Sequence, residues 1–204
     1  MKIALYLGSF NPFHKGHLKV IKAALDDFKM DEVVIVPTMQ NPWKKEKVID
    51  INKRIEIINI CISNDEDVYY WIQPDPKYFP HTFAYSRFGD IFKIILISPI
   101  EKELIPPYYS YATLHALKNK YCNDKIFVLC GEDTIKDIPN WMNGEQIIQD
   151  YNFLIVDRPE NSISSSQISE ILRNRNKMDA YYSDEKLAKY VSPNVVNLIK
   201  NYYE

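Results

Sequence analysis

The sequence predicts an α/β fold in which helices cover both faces of a parallel sheet. Short apolar runs that suit buried strands alternate along the chain with segments of helical periodicity. The runs are apolar almost throughout, which is typical of parallel strands that are buried on both faces. We therefore expect a Rossmann-like α/β fold that binds its ligands beyond the carboxyl ends of the strands.

The first βαβ unit spans residues 2–37. Residues 2–7 (KIALYL) form an apolar run before a glycine, and residues 17–29 place apolar side chains at helical spacing. Residues 32–37 (EVVIVP) predict a second buried strand, which ends at a proline. A strand, a loop, a helix and a strand in this order make one βαβ unit.

The same alternation continues to the C-terminus. The later predicted elements are a helix over 49–62, a strand over 92–98, a helix over 111–121, strands over 125–130 and 151–156, and two or three helices ending near 193–203. We expect one domain over 1–204 with a helical C-terminal part at about 165–204. Residues 64–91, with three prolines and many aromatic residues, interrupt the pattern. We interpret them as an ordered insertion that packs or forms an oligomer contact, with a substrate lid as the second choice.

Composition excludes several classes of function. A formal net charge of −2 gives no sign of a nucleic-acid-binding surface, and no apolar stretch approaches the length of a membrane span. The three cysteines are widely spaced, which indicates reduced thiols and not a disulfide framework. We expect a cytoplasmic protein that acts on small molecules without a nucleic-acid or membrane partner, and a homo-oligomer stays open.

Residues 8–17 (GSFNPFHKGH) join the first predicted strand to the first helix. Gly8 lets the backbone approach a bound group, and the unpaired N–H groups of the helix N-terminus are expected to face an anion. His14 and His17 flank the helix start, so both imidazoles can stabilise charge on one phosphate. A zinc site is less favoured because no CxxC accompanies the histidines, and neither a Walker loop nor GxGxxG is present.

The same ten residues resemble the GxFxPxHxGH signature of the nucleotidyltransferase superfamily. Four later regions resemble nicotinate-nucleotide adenylyltransferases: YYSYATL at 108–114, the run from Gly131 to the Arg-Pro at 158–159, ISSSQIS at 163–169, and the C-terminal KYVSPNVVNLIKNYY at 189–203. The resemblance covers about 1–63 and 93–204. It implies a Rossmann-like nucleotidyltransferase fold and transfer of AMP from ATP, with Mg²⁺, to nicotinate mononucleotide in NAD biosynthesis.

The resemblance and the chemistry of the residues predict three groups of site residues. The predicted catalytic residues are His14, His17, Arg173 and Lys44. The predicted ATP-binding residues are Gly8, Ser9, Phe10, His14, His17, Gly131, Asp133, Ser164, Ser165 and Ser166. The predicted substrate-binding residues are Lys44, Tyr109, Ser110, Thr113, Trp141 and Arg158. No protein-held metal is predicted.

Several of these assignments have a plainer structural alternative. Asp133 suits a ribose diol or the N-cap of a helix, and Trp141 suits stacking on a pyridine ring or packing beneath a helix. The serines from Ser164 to Ser166 suit outer phosphates or ordinary capping, because Ser164 and Gln167 have the spacing of a capping box.

The chain departs from the family pattern at two points of the site. Ser169 stands where the family motif ISSTxIR has an arginine that helps to bind the triphosphate. Arg173 lies one turn later on the same face, and we expect it to reach back and replace that charge. Trp43 replaces the histidine of the family's Pro-Pro-His-Lys loop, whereas Lys44 keeps the lysine.

Three alternatives stay open. Nicotinamide mononucleotide differs from the nicotinate acceptor by one charge. Phosphopantetheine adenylyltransferases share the first motif but not the run from Gly131 to Arg158. The loss of a cation at Ser169 also favours a nucleotide-binding protein that has lost catalysis.

Overall fold

The structure is a computed structural model of the chain, and it describes residues 1–39, 48–71, 82–86, 93–157, 164–174 and 180–203. The strands are β1 (Lys2–Gly8), β2 (Glu32–Pro37), β3 (Val68–Trp71), β4 (Thr82–Tyr85), β5 (Lys93–Ile97), β6 (Lys125–Cys130) and β7 (Asn152–Ile155). The α-helices are α1 (Lys15–Asp26), α2 (Ile51–Ser63), α3 (Ser110–Lys120), α4 (Glu132–Asp137), α5 (Gly144–Asp150), α6 (Ser165–Arg173), α7 (Ala180–Ala188) and α8 (Pro193–Tyr203). Short 3₁₀ helices cover Ile100–Glu103 and Ile138–Asn140.

The described strands form one sheet in the order β3-β4-β5-β2-β1-β6-β7. The five strands β5, β2, β1, β6 and β7 are parallel. Counted along the chain these five have the order 3-2-1-4-5, which is the order of a Rossmann sheet. The strand order reverses between β1 and β6, so the binding crevice is expected at the carboxyl ends of these two strands.

Alternate side chains of the central strands pack into two cores, one on each face of the sheet. Ala4 and Tyr6 join the core that contains residues of α1, α2, α6, α7 and α8. Ile3 and Leu5 join the second core, which α3 and α5 cover. Helices therefore cover both faces, as predicted, and the predicted elements are confirmed with their ends shifted by at most three residues.

The sheet is not wholly parallel, in contrast to the prediction. β3 pairs antiparallel with β4, and β4 pairs antiparallel with β5. Residues 72–81 separate β3 from β4, and these are fewer than the dozen or so that a parallel crossover needs. The sequence predicted no strands here, because three prolines and many aromatic residues obscure the period of two.

Strand β4, within segment 64–91, packs against the rest of the fold. Phe83 and Tyr85 are almost fully buried, and the Tyr85 hydroxyl donates to Asp26 Oδ2 at 2.7 Å. Residues 72–81 and 87–92 lie outside the described residues, so a lid or an oligomer contact there stays a prediction. No helix that the structure describes has the length and apolar character to span a bilayer.

Glu32 is a buried carboxyl at the first residue of β2, at the opposite end of this strand from the binding crevice. Its side chain is 6% exposed, and burial, together with the negative charge of Asp124, raises the pKa of Glu32 from 4.5 to about 7. Because the folded state then binds the proton more tightly than the unfolded state, the free energy of unfolding falls as pH rises from about 4.5 to 7.

Glu32→Gln is expected to remove this fall, which amounts to up to about 3 kcal/mol for a pKa change of this size. Urea unfolding of the wild type and the variant at pH 5 and pH 8 measures it. Glu66→Gln, an exposed substitution of the same kind, serves as the control and should keep the wild-type pH dependence. The same fall in Glu32→Gln as in the wild type would contradict the assignment to Glu32.

Candidate active site

A cleft of about 300 Å³ opens at the carboxyl ends of β1 and β2. The β1–α1 loop, the start of α3, the segment that follows α4 and the start of α6 contribute to its described lining. The predicted site residues in this lining are Gly8, Ser9, Tyr109, Ser110, Trp141, Ser165 and Ser166. Segments far apart in the sequence thus meet at the crevice that the strand order locates.

The two histidines of the β1–α1 loop cap helix α1 with their own rings. The backbone N–H of Gly16 donates to Nδ1 of His14 at 3.1 Å, and the backbone N–H of His14 donates to Nδ1 of His17 at 3.1 Å. Because an accepting Nδ1 must carry a lone pair, the hydrogen of each neutral ring lies on Nε2. Each ring therefore has its Nε2–H as the donor that can bind an anion.

The expectation that the N–H groups of the α1 N-terminus are unpaired is wrong. Lys15 N–H donates to the Tyr190 carbonyl at 2.8 Å, and His17 N–H donates to the His14 carbonyl at 2.9 Å. Gly16 N–H is bound by the His14 ring, so the first turn has protein acceptors for these three donors. The backbone amides of this turn are therefore bonded within the protein, and the binding of a phosphate by the two imidazoles stays a prediction.

Aromatic packing fixes the orientation of the His17 ring. His17 stacks on Phe13 with 5.1 Å between ring centroids and meets the edge of Phe10 at the same distance. The His14 and His17 rings lie 3.8 Å apart. His14 is 2% exposed and His17 is 7% exposed, so both rings have little room to rotate.

The two glycines of the loop are required by close approach of these rings. A Cβ on Gly16 would lie 2.9 Å from Nδ1 and Cε1 of His14. A Cβ on Gly8 would lie 2.9 Å from the ring of Phe10, whose φ of 44° is in the left-handed region. Gly16 therefore lets the His14 ring fold back onto the helix start, and Gly8 lets the Phe10 ring pack beneath the loop.

Helix α6 holds the β1–α1 loop through two serine hydroxyls one turn apart. Ser165 Oγ donates to the Pro12 carbonyl and Ser169 Oγ donates to the Asn11 carbonyl, both at 3.0 Å. Ser164 instead forms the capping box of α6 with Gln167, as its spacing predicted. Ser164 thus serves the helix, whereas Ser165 and Ser169 join α6 to the loop that carries the histidines.

Arg54, which sequence reasoning missed, fixes three backbone segments beneath the cleft. Its side chain is 1% exposed, and Nη1 donates to the carbonyls of Ser9 at 2.6 Å and Thr38 at 2.7 Å. Nε donates to the Ile49 carbonyl at 2.8 Å. One guanidinium therefore ties together the ends of β1 and β2 and the start of α2. The sequence held a signal, since residue 54 lies on the apolar face of a predicted helix.

Glu101 is a second residue of the cleft that sequence reasoning missed. It lies in the 3₁₀ helix after β5, lines the cleft and is 1% exposed. Thr113 Oγ1 donates to its Oε1 at 2.7 Å, and the Met39 N–H donates to its Oε2. Burial raises the pKa of Glu101, which the two hydrogen bonds and the positive charge of Arg54 oppose.

Comparisons with known proteins agree with this geometry. Residues 5–171 match the cytidylyltransferase-like family. A relative from Cytophaga hutchinsonii, named probable nicotinate-nucleotide adenylyltransferase, is 31% identical over 165 residues, which cover 80% of this chain and 72% of the relative. The chain belongs to the nicotinate-nucleotide adenylyltransferase family. The resemblance inferred from the sequence motifs is confirmed.

Other members of the family match almost the whole chain. The nicotinate-nucleotide adenylyltransferase of Bacillus subtilis is 27% identical over 95% of this chain and 96% of its own. The structure of Plasmodium falciparum nicotinic acid mononucleotide adenylyltransferase complexed with NaAD is 19% identical, with a TM-score of 0.67 over 98% of this chain and 95% of that chain. This likeness confirms the nucleotidyltransferase fold.

Some of the remaining predicted site residues line the cleft, whereas others are buried behind it. Trp141 lines the cleft and packs against the second core while its Nε1–H donates to Asp137, so its packing role is confirmed and its stacking on a pyridine ring stays a prediction. Phe10 is buried against His17. Thr113 is fully buried and bonds to the cleft carboxylate, and Tyr109, which lines the cleft, is the N-cap of α3.

Several predicted site residues lie outside the described lining of the cleft, namely the buried His14, His17, Phe10 and Thr113, the helix cap Ser164, and Gly131, Asp133 and Arg173. Gly131 is the N-cap of α4, and Asp133 is exposed in the first turn of that helix. The alternative in which Asp133 caps the helix is therefore wrong. Arg173 is exposed at the last turn of α6. Lys44, Trp43 and Arg158 lie outside the described residues, and their roles, like that of Arg173, stay predictions.

The described cleft offers no ligand set for a metal held by the protein itself. Among the residues that the structure describes, no group of three or more histidine, cysteine or acidic side chains lies together. Both oxygens of Glu101 already accept hydrogen bonds from the protein. The lining fits a Mg²⁺ ion that arrives on substrate phosphates, because Mg²⁺ needs few protein ligands when phosphates and water supply the rest.

Gly16→Ala is expected to slow nucleotidyl transfer at least tenfold, because the new Cβ must displace the His14 ring and small misplacements at a reacting centre are costly. The free energy of unfolding should change by less than about 2 kcal/mol, since the lost cap and the better helix propensity of alanine oppose each other. Steady-state rates and urea unfolding measure the two effects. Lys19→Ala, on the exposed face of α1, is the control, and equal rates for both variants would refute the steric argument.

Proposed function

We propose that the chain is a nicotinate-nucleotide adenylyltransferase. It transfers AMP from MgATP to nicotinate mononucleotide and releases nicotinate adenine dinucleotide and pyrophosphate, a step of NAD biosynthesis. The observation that carries this proposal is the pair of imidazoles anchored through Nδ1 at the start of α1, beside a cleft at the reversal of the strand order. The names of the relatives support the choice of reaction.

The chain's own residues act by positioning and by charge stabilisation. The Nε2–H groups of His14 and His17 meet phosphate oxygens of ATP, and the positive end of the α1 dipole adds to their effect. Ser165 and Ser166 border the same cleft and suit the outer phosphates. Mg²⁺, bound as part of the substrate MgATP, neutralises phosphate charge.

The reaction needs no general base on the protein. The attacking 5′-phosphate of the acceptor is already an anion at neutral pH, so no proton has to be removed before it attacks the α-phosphorus. The residues expected to hold the acceptor are Tyr109, Ser110 and Trp141, which line the cleft together. Catalysis then consists of aligning the two substrates and stabilising the charge that develops on phosphorus.

A nucleotide-binding protein without catalysis is the second candidate. Ser169 replaces the family's arginine, and its hydroxyl is committed to the Asn11 carbonyl, so it supplies no positive charge. The first candidate is favoured because the histidine pair and its supporting bonds are intact. A cytoplasmic location and a homo-oligomer stay predictions from the sequence.

Pyrophosphate release in the presence of MgATP tests the function directly. We expect turnover with nicotinate mononucleotide that exceeds turnover with nicotinamide mononucleotide and with phosphopantetheine. His17→Ala should lower the rate on the order of a hundred- to a thousand-fold, the usual cost of one such donor. Circular dichroism checks that the variant folds.

His115→Ala provides the matched control, because His115 is exposed on α3. It should keep the wild-type rate. A wild-type protein that binds ATP but releases no pyrophosphate with any acceptor would favour the second candidate. A folded His17→Ala variant with the wild-type rate would refute the role given to the imidazoles.

A further inference from the structure

Glu101 places a carboxylate where two anionic substrates are expected to bind. Its side chain lines the cleft although it is 1% exposed. Burial of an ionised carboxylate is costly unless protein donors and positive charge compensate it. A neutral side chain would avoid both this cost and the repulsion of phosphates, so the carboxylate must supply something that a neutral group does not.

The two oxygens of Glu101 bind donors from two different walls of the cleft. Oε2 accepts the N–H of Met39, which lies just beyond the end of β2 and lines the cleft itself. Oε1 accepts the hydroxyl of Thr113 in α3 at 2.7 Å. A carboxylate accepts hydrogen bonds on both oxygens and has no donor of its own, which suits it to two donors at once.

The Thr113 wall carries residues expected to bind the acceptor. Tyr109 and Ser110, one turn before Thr113, line the cleft. Thr113 Oγ1 also approaches the Tyr109 carbonyl at 3.4 Å. Because Thr113 is fully buried, its hydroxyl affects a ligand through the position of this helix start and through Glu101, not by direct contact.

Arg54 connects Glu101 to the rest of the cleft. The guanidinium binds the carbonyls of Thr38, the neighbour of Met39, and of Ser9 in the histidine loop. Its positive charge favours the ionised form of Glu101 and so lowers the pKa that burial raises. Two hydrogen bonds and one nearby positive charge thus oppose the effect of burial on the pKa of Glu101, which lies between the β2 end and the α3 start.

We propose that Glu101 is a positioning residue that fixes the spacing of Met39 and the α3 start, and thereby sets the affinity for the acceptor mononucleotide. This inference rests on the proposed adenylyl transfer. Glu101 acts on binding of the acceptor and not on the transfer of AMP, because it reaches the ligand through Met39 and Thr113. The effect is expected on the acceptor and not on ATP, because Met39 and Thr113 lie on walls of the cleft that carry no residue predicted to bind the phosphates of ATP.

Glu101→Gln tests the inference with little change in shape. The amide oxygen can still accept the Met39 N–H, but the NH₂ group can only donate to the Thr113 hydroxyl, so that bond is reversed and the negative charge that Arg54 stabilises is lost. We expect the KM for the acceptor to rise about tenfold, which corresponds to about 1.4 kcal/mol, with the KM for ATP and kcat changed by less than about threefold. Glu103→Gln, an exposed change in the same 3₁₀ helix, is the matched control and should leave all three constants unchanged.

A purely structural role would give a different result. It would lower the melting temperature of Glu101→Gln with both KM values unchanged, or would raise both KM values together, and either outcome overturns the inference. If Glu101→Gln does not fold, Glu101→Asp carries the same test, because the shorter carboxylate keeps its charge but cannot span both donors.

The measurements distinguish a failure of this inference from a failure of the proposed function. No pyrophosphate release by the wild type with any acceptor refutes the function and the inference together. A normal wild-type rate with an unchanged acceptor KM in a folded Glu101→Gln variant refutes only the inference about Glu101.

Discussion

The site depends on two hydrogen bonds in which imidazole rings accept backbone N–H groups at the start of α1. They bind Nδ1 of His14 and Nδ1 of His17, so both rings are held in one tautomer and both hydrogens lie on Nε2. The bonds also consume amides that a helix N-terminus ordinarily offers to an anion. In the proposed function, the positive end of the helix acts on a phosphate through the two rings, which extend the donors beyond the backbone.

The surrounding structure serves to hold this loop in place. Hydroxyls of Ser165 and Ser169 bind consecutive loop carbonyls, and Arg54 binds the carbonyl of Ser9 from below. Ser169 stands where the motif that this segment resembles has an arginine, and in this chain its hydroxyl binds the Asn11 carbonyl of the loop. The loss of one positive charge and the gain of one loop contact are separate effects on the same helix. Measurements of ATP affinity show how much each effect contributes to binding.

The sequence predicted the parallel sheet and the histidine loop because both have strong local patterns. Apolar runs separated by helical periodicity locate the strands, and the close spacing of His14 and His17 marks a helix start. The antiparallel β3 and β4 were missed because their pairing depends on the edge of β5, which no local pattern reveals. Glu101 was missed for a similar reason, since a four-residue 3₁₀ helix has no periodicity from which burial can be inferred. Arg54 was the exception, because a charge on an apolar helix face was visible in the sequence and was overlooked.

Nitrogen-15 NMR of protein labelled at its four histidines tests the central claim most directly. Alanine variants assign the signals, and the nitrogen shifts and couplings report which ring nitrogen carries the hydrogen. The account predicts that His14 and His17 are both protonated on Nε2 alone near neutral pH, and that MgATP shifts both Nε2–H signals without changing the tautomer. A hydrogen on Nδ1 of either ring, or Nε2–H signals that do not shift when MgATP binds, would contradict this account.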